Sequence, residues 1–211
     1  MTSQTTRHPR FEWLGGRTCL DFANTIAWRA EGHAHERLSS YGDLLEWGHA
    51  SGILDSAAVR RLRRAARAAP GAAEAVLQDA RALREAIYQV FSARSEHRDA
   101  EPGATTMLNR FLGQALGRLR LRVEGEGCSW TFVDEGDELD RMLWPVAWSA
   151  ASLLTSDDLR LVRRCAADQC GWLFVDQSRN RSRRWCTMKS CGNSAKARRH
   201  YARTRRLQKA G

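Results

Sequence analysis

The sequence predicts a mostly α-helical domain with a small β-hairpin, an α+β arrangement over residues 11–156, followed by a treble-clef-like four-cysteine module over residues 159–209. Three observations carry that prediction. Apolar residues recur at helical spacing through most of the first part. One segment, residues 118–134, switches to an alternation of period two. Near the C-terminus four cysteines form two close pairs, Cys165-x4-Cys170 and Cys186-x4-Cys191, with fifteen residues between the pairs.

Taken in order, Phe11–Leu14 is predicted as a short strand. Gly15-Gly16 breaks the chain before TCLDFANTIAW, where Leu20, Phe22, Ala23, Ile26 and Ala27 suit a mostly buried helix. Asp21 and Asn24 stand three apart in that apolar stretch, and buried polar groups need partners. Two readings stay open. They bond nearby backbone or hold the Gly-Gly loop, or they line a small-molecule pocket with Trp28 and Arg29. Residues 29–40 read as a polar loop, and His33-x-His35 within it has no companion cysteine to make a metal site. Ser40 N-caps a helix over 41–50 with Leu44, Leu45 and Trp47 facing inward. Asp55 opens the next helix, which Pro70-Gly71 stops.

The pattern is helical again over residues 72–97, where Leu77, Leu83, Ile87, Val90 and Phe91 fall near one face. Residues 99–103 break the chain and 105–116 form another helix. Leu119, Leu121 and Val123 then alternate with arginines, residues 124–127 turn, and Cys128, Trp130 and Phe132 alternate on the return. That is a hairpin with one wet face. The acidic stretch from Asp134 to Asp140 reads as a solvated loop. A last helix spans 139–154 with Pro145 near its start or at a kink.

A chain that is 43% hydrophobic can bury a core. Its net charge of +10 is uneven: residues 163–209 hold 14 Lys or Arg against two acids, a balance of +12 that leaves −2 to the rest. A local anionic partner follows. There is no membrane-length apolar run and no signal-peptide core, so a cytoplasmic, nucleoid-associated protein is expected. In that compartment clustered thiols bind metal more often than they pair. Cys19 and Cys128 stand apart and are read as small buried hydrophobes.

The C-terminal module has almost no apolar inventory beyond Trp172, Leu173, Phe174, Val175 and Trp185, too little to fold on alone. Four thiolates around one metal favour zinc, and a complete set leaves no open position for water. A structural Zn2+ held by Cys165, Cys170, Cys186 and Cys191 is therefore expected, the alternative being two disulfides. Cys165 and Cys170 form a first knuckle, WLFVD leaves it as a strand, RNRSRRW returns, and a basic helix follows Cys191.

Those residues reach a known family. The string Cys165…Cys170…FVDQSRNRSRRWC-TMKS-CGNSAKARR resembles the CGNR zinc finger of bacterial regulators. GRTCLDFANT resembles the ABATE domain found upstream of it, that of a stress-induced transcription regulator. Ser194 departs from the motif, which has arginine there. The resemblance implies a DNA-binding finger behind a ligand-sensing domain.

Plotted at about 100° per residue, Lys196, Arg199, Arg203 and Arg206 share an arc of about 80°, with Arg198 and Arg205 on an adjacent one. Ala197, His200, Tyr201, Thr204 and Leu207 take the side expected to pack on the finger. Arg179, Arg181, Arg183 and Arg184 add a basic loop, and Lys189 and Asn193 flank the last cysteine. These twelve are the candidate nucleic-acid contacts, since arginine's planar fork suits phosphate and guanine edges. No P-loop, Rossmann glycine pattern or GxSxG occurs, and no enzyme is expected. The sequence thus points to a transcription regulator that binds DNA, with an N-terminal domain that senses a small molecule or forms a homodimer. The alternative is an RNA-binding or ribosome-associated zinc protein.

Overall fold

A computed structural model describes residues 10–29, 34–133 and 136–208, without the side chains of residues 199, 200, 202–204 and 206–208. The helix expected across residues 18–28 is short: α1 is Thr18–Ala23. It ends because Asn24 turns its side chain to a distant backbone, and the Thr25 hydroxyl donates to Phe22 O at 2.8 Å. The chain continues as β1 (Ile26–Ala27), paired antiparallel with β2 (His35–Glu36), so the expected loop contains a strand. Phe11–Leu14 joins no ladder, although Phe11 is buried.

Helix α2 (Tyr41–Ala50) opens with a capping box in which Ser40 and Asp43 bond each other's backbone N–H. Helix α3 (Ser56–Ala68) is capped by Asp55, which accepts from Ala58 N at 2.7 Å. Pro70 does not only stop α3. It occupies the first turn of α4 (Pro70–Ser95), where a missing N–H costs no helical bond. Pro102 starts α5 (Pro102–Arg118) in the same way.

The expected hairpin is formed by β3 (Leu119–Glu124) and β4 (Gly127–Phe132), in a register that sets Leu121 opposite Trp130 and Val123 opposite Cys128. Its apolar face was expected to be buried. Instead Leu121, Val123, Cys128 and Trp130 are exposed, because the hairpin meets the body only along one side, where Phe132 meets Trp144 and the edge of Trp130 meets Trp148 at 6.1 Å. Beyond it, Glu138 pairs with Arg118 at 3.1 Å and Asp140 accepts from Trp144 Nε1, so the acidic stretch is partly engaged. Asp134 and Glu135 lie outside the described residues. Helix α6 (Leu143–Leu154) starts later than expected, with Pro145 in its first turn.

After a 3-10 turn (Asp157–Leu161) come β5 (Val162–Arg164) and β6 (Leu173–Val175), an antiparallel pair. The sequence paired WLFVD with the returning RNRSRRW; its ladder partner is β5 instead. A π turn (Met188–Gly192) leads into α7 (Asn193–Gln208).

Helix α1 sits at the centre, packed on α4, α6 and β6. Phe22 meets Trp47 edge-on at 4.8 Å, among Leu20, Leu44, Leu77, Leu83 and Phe91. Val162, Leu173 and Val175 belong to this same core. The C-terminal module therefore does not rely on its own apolar residues, as its composition suggested. Among the described residues no helix is long and apolar enough to cross a membrane.

Candidate metal centre and nucleic-acid interface

The turn between β5 and β6 carries the first cysteine pair. Cys165 N donates to Trp172 O at 2.8 Å, Cys170 N to Ala167 O at 3.0 Å, and Gly171 takes φ +67° to close the turn. The second pair is delivered by a loop folded around Asp176, which is fully buried. One carboxylate oxygen accepts from Ser178 N and Oγ at 3.0 and 2.6 Å, the other from Arg183 N at 2.9 Å. Burial opposes the charge, yet these bonds hold the carboxyl below its ordinary range. Arg183 stacks over Phe174 at 4.3 Å and donates to the carbonyls of Trp185 and Cys186. Cys191 lies in the π turn. There Gly192 admits the Met188 side chain, whose sulfur would stand 2.5 Å from any Cβ at that position.

These supports bring all four sulfurs within 4.8 Å of one another. Cys170 and Cys186 are 3.7 Å apart, and Cys186 and Cys191 3.6 Å. A tetrahedral zinc with Zn–S bonds of about 2.3 Å requires sulfurs roughly 3.8 Å apart, whereas a disulfide needs about 2.05 Å. The spacing is that of a metal cage. Cys186 N also donates to Cys165 Sγ at 3.4 Å, a bond suited to a thiolate. Hydrogen bonds from Cys170 and Cys186 hold Cys165 well down, and the same contact with Cys165 pushes Cys170 and Cys186 up. Crowded sulfurs shed further protons only against a cation.

The basic residues divide. Arg179, Arg181, Arg184, Lys189, Asn193, Lys196, Arg198 and Arg205 are exposed. Arg183 is not a free surface group: its guanidinium is spent inside the loop. The side chains of Arg199, Arg203 and Arg206 lie outside the described part, although α7 carries their backbone. Ala197 and Tyr201, expected to pack on the finger, are exposed, while Ala195 is half-buried and Arg198 pairs with Asp168 at 3.5 Å.

Of the four residues considered for a ligand pocket, Trp28 lines a cavity whose walls do not include Asp21, Asn24 or Arg29. Asn24 Nδ2 donates to Leu173 O at 2.8 Å and its Oδ1 accepts from Leu173 N at 2.9 Å. Asp21 accepts from Gly15 N at 2.7 Å. Arg29 stacks over Tyr88 at 3.7 Å and pairs with Glu85 at 2.7 Å. The cavity itself, about 580 Å3, runs between the β1–β2 ribbon and the start of α7. Trp28, His35, Arg37, Gln169, Ser194 and Arg198 form its walls, and the cysteine cluster forms one end.

Sequence reasoning missed the groups that join the two parts. Gly15 O accepts from Val175 N at 2.9 Å, Trp172 Nε1 donates to Ile26 O at 2.8 Å, and Arg37 lies over the Trp172 ring at 5.2 Å. The signal was present in the Gly-Gly turn and in Asn24 inside an apolar run, but the partner of Asn24 lies 149 residues away, whereas Asp21 holds the nearby Gly15.

Residues 16–157 match the model of the ABATE family, described as a putative stress-induced transcription regulator. Residues 161–204 match that of the CGNR zinc finger. A search of the curated proteins returned no match. The four-cysteine cluster is thus a structural zinc site, both by its geometry and by its family.

Proposed function

We propose, for a chain that belongs to the ABATE family and ends in a CGNR zinc finger, that it regulates transcription by binding duplex DNA through α7 and the Arg179–Arg184 loop. It acts without catalysing a reaction. Bound zinc supplies the structural cross-link that fixes the knuckle, the basic loop and the root of α7 relative to one another. The observation that carries this reading is the position of α7. It leaves the zinc cage directly after Cys191 with Lys196 and Arg205 exposed, Arg198 exposed and paired only with Asp168 of the knuckle, and no acid in its own sequence. Such a helix suits a run of phosphates.

The cavity between the ribbon and α7 supports the sensing role. A small molecule held there would touch Trp28 from the N-terminal part and Ser194 and Arg198 from α7 at once. Sites at such junctions are common ligand pockets. Ser194, where the motif has arginine, leaves room on that wall.

The test is capture of genomic fragments by the zinc-loaded protein, followed by anisotropy on recovered duplexes with bulk DNA and folded RNA as competitors. Preference for one duplex sequence supports the regulator. Preference for folded RNA replaces it with the RNA-binding alternative.

A further inference from the structure

Helix α3 holds five arginines and no acidic residue in thirteen positions. Four of them, Arg60, Arg63, Arg64 and Arg67, follow the spacing i, i+3, i+4, i+7. At about 100° per residue they occupy an arc of about 100° and rise over roughly 10 Å of axis. Ala58 and Leu62, on the opposite side, are buried against the body, while all four arginines are exposed. The stripe is therefore one continuous outward face.

Many other arginines on the described surface carry an acidic partner. Arg94 pairs with Asp99, Arg98 with Glu96, Arg110 with Asp79 and Arg122 with Glu124. Among the described residues, Arg60, Arg63, Arg64 and Arg67 have no ion-pair or hydrogen-bond partner, whereas Arg61, outside the stripe, donates to Gly136 O at 2.6 Å. Like charges at i+3 and i+4 repel one another on a helix. Nothing in the described fold offsets that repulsion, so the stripe is suited to an anion from outside.

We infer that Arg60, Arg63, Arg64 and Arg67 form a second phosphate-backbone contact for duplex DNA, separate from the zinc finger. The inference rests on the DNA-binding reading above. Charge complementarity identifies the partner: a row of planar forks without apolar neighbours fits closely spaced phosphates. A membrane surface fits less well, because binding in the lipid interface needs an apolar helix face, and that face of α3 is already buried. The contact positions DNA and reads no bases, since phosphates carry no sequence information.

The experiment compares three forms of the full zinc-loaded chain on one duplex across a salt series. The first is unchanged. The second carries Arg60→Gln, Arg63→Gln, Arg64→Gln and Arg67→Gln. The third carries the same number of Arg→Gln changes at Arg94, Arg98, Arg110 and Arg122, and so controls for net charge. Each lost contact should flatten the plot of log affinity against log salt by about 0.9. The α3 variant should be flatter than the control by about 2–4 and weaker by an equal factor on every sequence. The corresponding Arg→Lys variant should restore most of the slope, which excludes misfolding as the cause. If the α3 and control variants behave alike while Lys196→Gln with Arg198→Gln flattens the plot, the finger binds DNA and α3 does not. If the unchanged protein has no affinity for duplex DNA, the function reading fails and this inference with it. Loss of binding to anionic vesicles in the α3 variant, with duplex affinity intact, would assign the stripe to lipid and overturn the inference.

Discussion

Asn24 and Leu173 pair through both polar atoms of the asparagine side chain, at 2.8 and 2.9 Å, across 149 residues of sequence. The amide acts as one more strand residue beside β6. It satisfies the N–H and C=O that Leu173 turns away from the β5–β6 turn. Gly15 O takes Val175 N beside it, so the two parts of the chain are joined by backbone-type bonds and not by packing alone. A glycine is needed at position 15, because a Cβ there would lie 2.8 Å from Leu20 and Asp21.

Asn24→Ala should destabilise the ligand-free protein by roughly 2–5 kcal/mol, since it leaves two buried backbone groups of Leu173 unpaired. Denaturant unfolding followed by tryptophan fluorescence measures it. A loss under about 1 kcal/mol would show that water or another group replaces the amide without difficulty.

Zinc removal should reach beyond the finger. Cys186→Ser, or a strong chelator, should abolish the stoichiometric zinc found by elemental analysis. Hydrogen exchange should then speed up at Leu173 and also along α1, because β6 and α1 share the Asn24 pairing and one core. Unchanged protection in α1 would mean that the helical part holds this seam without metal.

Asp21 sets a pH dependence of defined sign. Burial raises its carboxyl from 3.8 to about 6, against the opposing bonds from Gly15 and Leu14. The folded chain therefore keeps this proton after the unfolded chain has lost it. Its contribution to stability is present below about pH 4 and declines as pH rises towards 6. Asp21→Asn removes that decline, so the variant's stability relative to the unchanged protein should climb through this window by up to about 3 kcal/mol and then level. A flat difference across the window would contradict the raised value.

Arg84 is 3% exposed and clamps Glu36 through both carboxylate oxygens at 2.6 and 2.7 Å. This pair holds β2, and with it the ribbon that forms one wall of the cavity. Arg84→Ala should cost about 1–3 kcal/mol, because it leaves the half-buried Glu36 carboxylate without its charged donor. Arg84→Met combined with Glu36→Leu should recover a good part of it. Additive losses in that double-mutant cycle would show that the two side chains are not coupled.

The sequence alone determined the features whose causes are local. Ser40 and Asp55 capped their helices because the acceptor sits on the same few residues as the orphan N–H groups. The hairpin's two strands and the turn between them followed from period-two alternation. The metal centre was legible because ligand type and spacing, Cys-x4-Cys twice, are nearly sufficient to specify it. The tertiary structure decided what depends on partners distant in sequence. It ended α1 at Ala23, because Asn24 had a better use for its amide than a helical turn. It took Arg183 out of the basic surface to cover Phe174. It left the apolar face of β3–β4 in solvent, since alternation reports which residues share a face and not whether another element arrives to cover it. Periodicity, capping and ligand spacing are short-range and can be read from the chain. Burial and long-range hydrogen bonding are set by which surfaces meet, and only the folded chain brings Gly15 and Asn24 against β6.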